Sequence, residues 1–265
     1  MKINKKIFAM LAIGVATFSC TNLNTLTDDQ LMARENTMSV YWYQTSVEAK
    51  ALYLQGYKLA RKNLTELLKK PHTKPYAIVL DLDETVLDNS PYQGQSIKDG
   101  TGFSPKTWDE WVFKEEAKVV PGAAEFLQFA DKNKVKIYYI SDRSGDHYDA
   151  TIRNLKAYGV PVQGRDHLLF TDKGSKIERM KQVEKQGEVV MLFGDSFTDF
   201  GDLSKSSLVE RDKQLNDLKD KFGDMFIVFP NPMYGAFERA LYKQEKVKTT
   251  KDKIRVRQNI LKGYK

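Results

Sequence analysis

Cysteine, histidine and long apolar runs are scarce in this chain of 265 residues. It has one cysteine, Cys20, and three histidines. A single cysteine excludes an intramolecular disulfide framework, and so few cysteines and histidines give poor support for a zinc site. The apolar run Ile7–Phe18 is too short to span a bilayer comfortably.

Length, composition and charge limit the class of protein. The chain is 41% hydrophobic and 29% charged, which suffices for one large domain or one domain with an insertion. Its formal net charge of +7 favours anionic partners such as phosphate esters, nucleic acids or anionic lipid. The Lys and Arg residues are interpreted as spread along the chain rather than gathered in one block, so no nucleic-acid polymer is expected as a partner.

The first 39 residues predict export and anchoring. Three lysines and the apolar run precede Ser19–Cys20, as expected of a signal peptide over residues 1–19 followed by a lipidated Cys20. Residues 17–20, Thr-Phe-Ser-Cys, resemble a bacterial lipobox, and residues 20–39 are polar enough for a tether. The expected location is the bacterial cell envelope, with a membrane contact through the lipid and the outer membrane as the preferred site. An ordinary signal peptide cut elsewhere is the alternative.

Residues 77–85, Ala-Ile-Val-Leu-Asp-Leu-Asp-Glu-Thr, are the stretch around which the rest is organised. A short unbroken apolar run predicts a strand buried on both faces, as in a parallel sheet. Residues two apart on a strand point to the same side, so Asp81 and Asp83 are expected to leave the strand end together. Ligands bind at that edge of an open α/β sheet.

The remaining chain alternates between helix and strand signals, which predicts an α/β fold with a mostly parallel sheet and helices on both faces. A helix is expected over residues 40–68, and a small, mainly helical cap over residues 86–119. The expected domain covers residues 40–242, followed by a basic helix or tail over residues 243–265. The further strands are predicted at residues 134–140, 167–170, 188–193 and 225–229.

Several of these strands are followed by polar residues. Ser141 follows the second strand, Asp195 and Asp199 follow the fourth, and Lys176 lies near the start of a helix after the third. The ends of parallel strands converge on one edge, so these groups are expected to meet Asp81 and Asp83. Carboxylate oxygens suit Mg²⁺, and a hydroxyl, an ammonium and a divalent cation together suit a phosphoryl group.

These residues resemble the four motifs of the haloacid dehalogenase (HAD) superfamily of phosphohydrolases. Within it, the chain is most similar to the class C acid phosphatases, the lipoprotein e type 5′-nucleotidases of bacterial envelopes. One departure is Asp142, where the family more often has Asn. The supporting segments are residues 81–90, 108–111, 120–123, 141–143 and 194–202.

The resemblance implies a HAD-like Rossmannoid sheet and a role for each site residue. Asp81 is the expected nucleophile, forming an aspartyl-phosphate, and Asp83 the expected general acid and base. Mg²⁺ is expected on Asp81, the backbone carbonyl of Asp83 and Asp195, with Asp199 at or near the ion. Ser141 and Lys176 are expected to bind phosphate oxygens, with Lys173 as the rival lysine. Arg143, Glu84 and Asp202 are supporting candidates.

The family prefers nucleoside 5′-monophosphates and aryl phosphates, and a ring held between Trp108 and Tyr234 would suit that preference. The alternatives are packing in the core of the cap for Trp108 and a structural tyrosine of a capped turn for Tyr234. A broad-range phosphatase or phosphotransferase without a nucleotide role, and a non-catalytic envelope binding lipoprotein, are the alternative functions. The sequence leaves a homodimer open.

Overall fold

A parallel sheet of five strands forms the centre of the protein. The computed structural model describes residues 26–201, 207–245 and 247–264. The sheet order is β5-β4-β1-β6-β7, and each neighbouring pair is parallel. A separate antiparallel pair joins β2 to β3. The strands are β1 (Tyr76–Leu80), β2 (Leu87–Asp88), β3 (Lys118–Val119), β4 (Lys136–Ile140), β5 (Leu168–Leu169), β6 (Glu188–Gly194) and β7 (Phe226–Val228).

Both faces of this sheet are buried, because successive side chains of a strand point to opposite faces. All five residues of β1 are buried. Ile78 and Leu80 pack in the larger hydrophobic cluster, whereas Ala77 and Val79 pack in the smaller one. The prediction of an α/β fold with a parallel sheet covered on both faces is confirmed.

Helices cover the two faces. The larger cluster includes side chains of α3, α6 and α7, and the smaller one includes Val183 of α8. The described helices are α1 (Asp28–Glu35), α2 (Thr37–Thr45), α3 (Val47–Leu68), α4 (Ser90–Asp99), α5 (Pro105–Val112), α6 (Ala123–Lys132), α7 (Tyr148–Ala157), α8 (Lys176–Glu184), α9 (Leu208–Leu218), α10 (Ala236–Leu241) and α11 (Thr250–Ile260).

The long helix predicted over residues 40–68 is two helices, α2 and α3. Ser46 separates them: its backbone is extended, and its side chain accepts a hydrogen bond from the Ala49 backbone N–H. A serine in this position is a favoured N-cap because its oxygen satisfies a free N–H group of the first turn. The apolar spacing continues across the break, and the prediction therefore missed it.

The insertion between β1 and α6 is mainly helical, as predicted, and also contains a short pair of strands. No strand was expected between residues 86 and 119, yet Leu87 and Asp88 pair with Val119 and Lys118 at its base. Before Ser104 the insertion contains α4, which ends at Gly100 in a left-handed conformation. Helix α4 carries few apolar residues, so it has little of the periodic signal that predicts a helix.

A helix forms near each end of the described chain. The tether expected over residues 20–39 is wrong from Asp28 onward, because α1 begins there with a capping box from Thr27. Of the basic helix or tail predicted over residues 243–265, the structure shows the helix, α11, with Ile254 and Val256 buried. The signal peptide, Cys20 and Asp202 lie outside the described residues. Within those residues, no helix combines the length and the apolar character that crossing a membrane requires.

Candidate active site

Asp81 follows β1 directly and forms one corner of a cluster of three carboxylates. Its backbone N–H still pairs with the carbonyl of Phe193 in β6, so the sheet fixes where it stands. Carboxylate oxygens of Asp81, Asp195 and Asp199 lie within 4.8 Å of one another. Asn231, which follows β7, donates from Nδ2 to Oδ2 of Asp195 at 2.8 Å. The ends of β1, β6 and β7 therefore meet at this acidic cluster.

Lys176 places its ammonium against the same cluster. Its Nζ lies 2.6 Å from Oδ1 of Asp199 and 3.3 Å from Oδ1 of Asp81. It is the first residue of α8, which begins after the Ser175 N-cap. Lys173, the rival lysine, instead pairs with the neighbouring Asp172 on the surface.

Burial and mutual repulsion disfavour full ionisation of the cluster. Burial raises the pKa of Asp81 well above its usual range; the Lys176 ammonium opposes this rise, while Asp199 and Asp195 add to it. Burial, together with the Asp199 carboxylate, raises the pKa of Asp195 to about 7. Three carboxylates against one ammonium leave an excess of negative charge. A divalent cation with oxygen ligands would balance it, and these residues fit such an ion.

Asp83 has a different set of neighbours. Its Oδ1 lies 2.7 Å from Nη2 and 3.1 Å from Nε of Arg143, which is 2% exposed. Asn89 Nδ2 donates to the same oxygen at 2.8 Å, and the Ser141 hydroxyl lies 3.2 Å from Oδ2. Asp83 is thus oriented by cationic and neutral donors, whereas Asp81 is surrounded mainly by acids.

Two tryptophans of α5 connect the insertion to Asp83. The indole Nε1 of Trp111 donates to Oδ1 of Asn89 at 2.8 Å, and Asn89 in turn donates to Asp83. The Trp108 ring lies 5.7 Å from the Arg143 guanidinium, a cation–π arrangement. The insertion therefore contacts the groups that hold Asp83.

Glu84 is fully buried beside this site and has a backbone φ of 57°. One carboxylate oxygen accepts the Asn89 backbone N–H at 2.7 Å, and the other accepts a hydrogen bond from the Tyr234 hydroxyl. The Tyr53 hydroxyl donates to its backbone carbonyl at 2.5 Å. Burial raises the pKa of Glu84 well above its usual range, and the Asp83 charge adds to this.

The structure brings most of the predicted site residues to one edge of the sheet. Asp81, Asp195, Asp199 and Lys176 form one group, and Asp83 and Ser141 form its neighbour. Trp108 lies at Arg143, and Tyr234 lies at Glu84, so their contact with a substrate ring stays a prediction.

Sequence reasoning gave no role to Asn231, Asn89 or Trp111. Asn231 stands in the Pro-Asn-Pro turn after the fifth sheet strand, and its position at a strand end was the available signal. Asn89 was noted only as part of the resemblance to the family. The indole N–H of Trp111 had no partner that the sequence could identify.

A comparison with known families matches most of the chain. A family model described as HAD superfamily, subfamily IIIB (Acid phosphatase), matches residues 10–237. The chain belongs to this subfamily. The resemblance identified in the sequence is thereby confirmed at the level of the family.

Two solved structures resemble this chain in both sequence and fold. The class C acid phosphatase from Bacillus anthracis is 42% identical, with a TM-score of 0.83, over 88% of this chain and 99% of that one. The crystal structure of Bacillus anthracis class C acid phosphatase with tungstate bound is 42% identical, with a TM-score of 0.84, over 89% and 100% of the two chains.

A plant relative matches over a shorter region. Acid phosphatase 1 of Solanum lycopersicum is 26% identical over 162 residues, which are 59% of this chain and 57% of that protein. The match thus spans a little more than half of the plant protein's length.

Proposed function

We propose that this subfamily IIIB protein is a Mg²⁺-dependent acid phosphatase that hydrolyses phosphomonoesters through an aspartyl-phosphate on Asp81. The observation that carries this proposal is the difference between two acids on one strand end. Asp81 lies with Asp195, Asp199 and Lys176, whereas Asp83 is held by Arg143. Two carboxylates in unlike surroundings suit two different roles.

In the first step, an oxygen of Asp81 attacks phosphorus and the bond from phosphorus to the leaving oxygen breaks. Asp83 gives its proton to that oxygen, so an alcohol or a nucleoside leaves. In the second step, Asp83 takes a proton from water as the water oxygen attacks the aspartyl-phosphate. Inorganic phosphate leaves and Asp81 is regenerated. Lys176 and Ser141 would bind the phosphoryl oxygens during both steps.

A bound metal ion supports the same chemistry. Asp81, Asp195 and Asp199 would hold Mg²⁺ with their carboxylates, and the Asp83 carbonyl stays a predicted ligand. When bound, the ion supplies charge stabilisation to the transferring phosphoryl group. The tungstate bound to the Bacillus anthracis enzyme is a tetrahedral oxyanion like phosphate, which supports a site for a phosphoryl group in this chain.

Nucleoside 5′-monophosphates and aryl phosphates are the proposed substrates. Trp108 is half-buried on α5 and lies against Arg143 beside Asp83, on the side where the leaving group is proposed. An indole ring can stack on any base or aryl ring, which suits substrates that differ in the base. Comparing rates on AMP, p-nitrophenyl phosphate and a sugar phosphate tests this preference. Equal efficiency on all three would favour the broad-range phosphatase.

The two acids provide the decisive test of mechanism. Asp81→Asn removes the nucleophile, so we expect no release of phosphate from p-nitrophenyl phosphate in the presence of Mg²⁺. Asp83→Asn should still release p-nitrophenolate once, because this leaving group needs little protonation, and then stall as the aspartyl-phosphate. Rapid-quench kinetics would show this single turnover as a burst of p-nitrophenolate. An Asp81→Asn variant that keeps most of its activity contradicts the proposal.

We also propose attachment to the cell envelope through a lipid on Cys20, facing outside the cytoplasm. The support is the order of leader, apolar run and cysteine in residues 1–20. Mass spectrometry of the N-terminal peptide from cells tests the modification, with Cys20→Ser as the control. A mature N-terminus at another residue contradicts it.

A further inference from the structure

The net positive charge of this chain lies at its C-terminal end. Residues 243–265 carry nine basic and two acidic side chains, so their formal net charge of +7 equals that of the whole chain. Lys and Arg balance Asp and Glu over residues 1–242. The expectation that Lys and Arg residues are spread along the chain is therefore wrong for this segment, where they are concentrated.

Helix α11 presents part of this charge on a folded surface. A capping box at Thr249 begins the helix, and Ile254 and Val256 bury its other side. Lys251 and Arg255 are four residues apart and exposed, which places them on the same side of the helix. Arg255 pairs with Asp252 at 3.2 Å, yet its side chain remains 55% exposed.

Apolar side chains are exposed at the end of this helix. Ile260 is 47% exposed and Leu261 is 77% exposed, and Lys262 beside them is exposed as well. Basic groups next to exposed apolar groups are typical of segments that lie in the headgroup region of a membrane. Nucleic acid is bound mainly through its phosphates, so a surface for nucleic acid would not require the exposed leucine and isoleucine.

The position of α11 also favours lipid. It lies against α1, with Thr250 Oγ1 at 2.6 Å from Asp29 Oδ1 and Arg257 Nη1 at 3.0 Å from Glu35 Oε2. Helix α1 begins at Asp28, eight residues after Cys20. Eight extended residues span at most about 28 Å. A lipid on Cys20, which is itself a proposal, would hold the start of α11 close to a bilayer.

We propose that α11 and residues 261–264 form a docking surface for anionic phospholipid headgroups. Lys251, Arg255 and Lys262 meet the lipid phosphates, and Leu261, which follows the last turn of the helix, enters the interface. The surface shares no residue with the carboxylate cluster, so it would orient the protein on the membrane without taking part in phosphate release.

Vesicle binding tests this surface directly. The probe is the chain from Thr21 onward, which keeps every described residue and lacks the apolar leader that would itself insert. We expect it to sediment with vesicles of phosphatidylglycerol and phosphatidylcholine, less so at high salt, and far more weakly with phosphatidylcholine alone. The triple variant Lys251→Gln, Arg255→Gln, Lys262→Gln should bind the anionic vesicles about 100-fold more weakly, at roughly fivefold per basic residue.

A matched variant removes the same charge elsewhere. Lys50→Gln, Lys58→Gln, Lys62→Gln changes three exposed lysines of α3 and should keep most of the binding. The proposal would be overturned by an equal loss of vesicle binding in the two triple variants or by no preference for anionic vesicles. Tighter binding to a DNA duplex than to the anionic vesicles would also overturn it. Thermal unfolding confirms that both variants fold. Their phosphate release from p-nitrophenyl phosphate is measured separately, so failure here leaves the proposed phosphatase activity intact.

Discussion

Arg143 contacts both oxygens of the Asp83 carboxylate, with Nη2 at 2.7 Å from Oδ1 and Nε at 3.3 Å from Oδ2. Arg143 follows β4 and Asp83 follows β1, so two neighbouring strands of the sheet define this pair. The guanidinium is almost fully buried, and its Nη1 donates to the Thr151 hydroxyl at 2.9 Å. The pair gives Asp83 a fixed direction at the edge of the site.

Replacing Arg143 by lysine should slow turnover more than it weakens substrate binding. Lysine keeps the charge but loses the planar fork that contacts both oxygens. Losing one charge-assisted hydrogen bond, worth about 1.5–3 kcal/mol, should lower kcat roughly 10- to 100-fold. Steady-state kinetics on p-nitrophenyl phosphate measure this fall in kcat. Arg153→Lys is the control, because Arg153 pairs with Glu115 on the surface, and wild-type kcat in Arg143→Lys contradicts this role.

Trp111→Phe should lower kcat while leaving KM nearly unchanged. The ring is kept, but the indole N–H that orients Asn89, and through it Asp83, is lost. A neutral hydrogen bond is worth about 1 kcal/mol, so we expect a loss of roughly fivefold.

A double-mutant cycle separates this effect from a simple packing defect. In an Asn89→Ala background, Trp111→Phe should cause little further loss of kcat, because residues of one network are not additive. Additive losses would show that Trp111 acts without Asn89.

Stabilisation by Mg²⁺ should increase with pH. The pKa of Asp195 in the metal-free fold, about 7, exceeds its ordinary value of 3.8. The fold therefore binds more protons than the unfolded chain between these values, and metal-free stability falls as the pH rises through this range. Mg²⁺ binds the ionised carboxylates, so the rise in Tm that it causes should be larger at about pH 8 than at about pH 5.5.

Two further measurements give this prediction its control. Asp195→Asn removes the titrating group, and the rise in Tm with Mg²⁺ should then be small at both pH values. An equal rise in Tm at both pH values in the unaltered protein would exclude Asp195 as a titrating metal ligand.

Glu84→Gln should be tolerated at neutral pH, whereas Glu84→Ala should destabilise the fold. The folded pKa of Glu84 lies well above its ordinary value, so its contribution to stability falls as the pH rises above that ordinary value. Glutamine resembles the protonated acid: its Oε1 can accept the Asn89 N–H, and its amide N–H can donate to the Tyr234 hydroxyl oxygen, which then acts as the acceptor. Chemical denaturation should show that the free energy of unfolding declines less steeply with pH for Glu84→Gln than for the unaltered protein. A Gln variant as unstable as the Ala variant contradicts a protonated Glu84.

Short-range patterns predicted the elements with strong periodicity. The apolar run before Asp81 predicted β1, and the runs at residues 134–140 and 188–193 predicted β4 and β6 within two residues. Helix α4 has a weak apolar pattern, so the predicted helical cap did not include its bounds. The predicted tether is α1 instead: its capping box at Thr27 was an available local signal, whereas its packing against α11 and α4 was not.

The sequence by itself determined the carboxylates and the strand that carries them, because the spacing of Asp81 and Asp83 follows from the period of an extended chain. Only the tertiary structure decided their surroundings. Asp195 and Asp199 come to Asp81 from β6, whereas Arg143 and Trp111 come to Asp83, directly and through Asn89, from β4 and the insertion. The order of strands in the sheet selects these neighbours, and a charge's neighbours set its ionisation and direction.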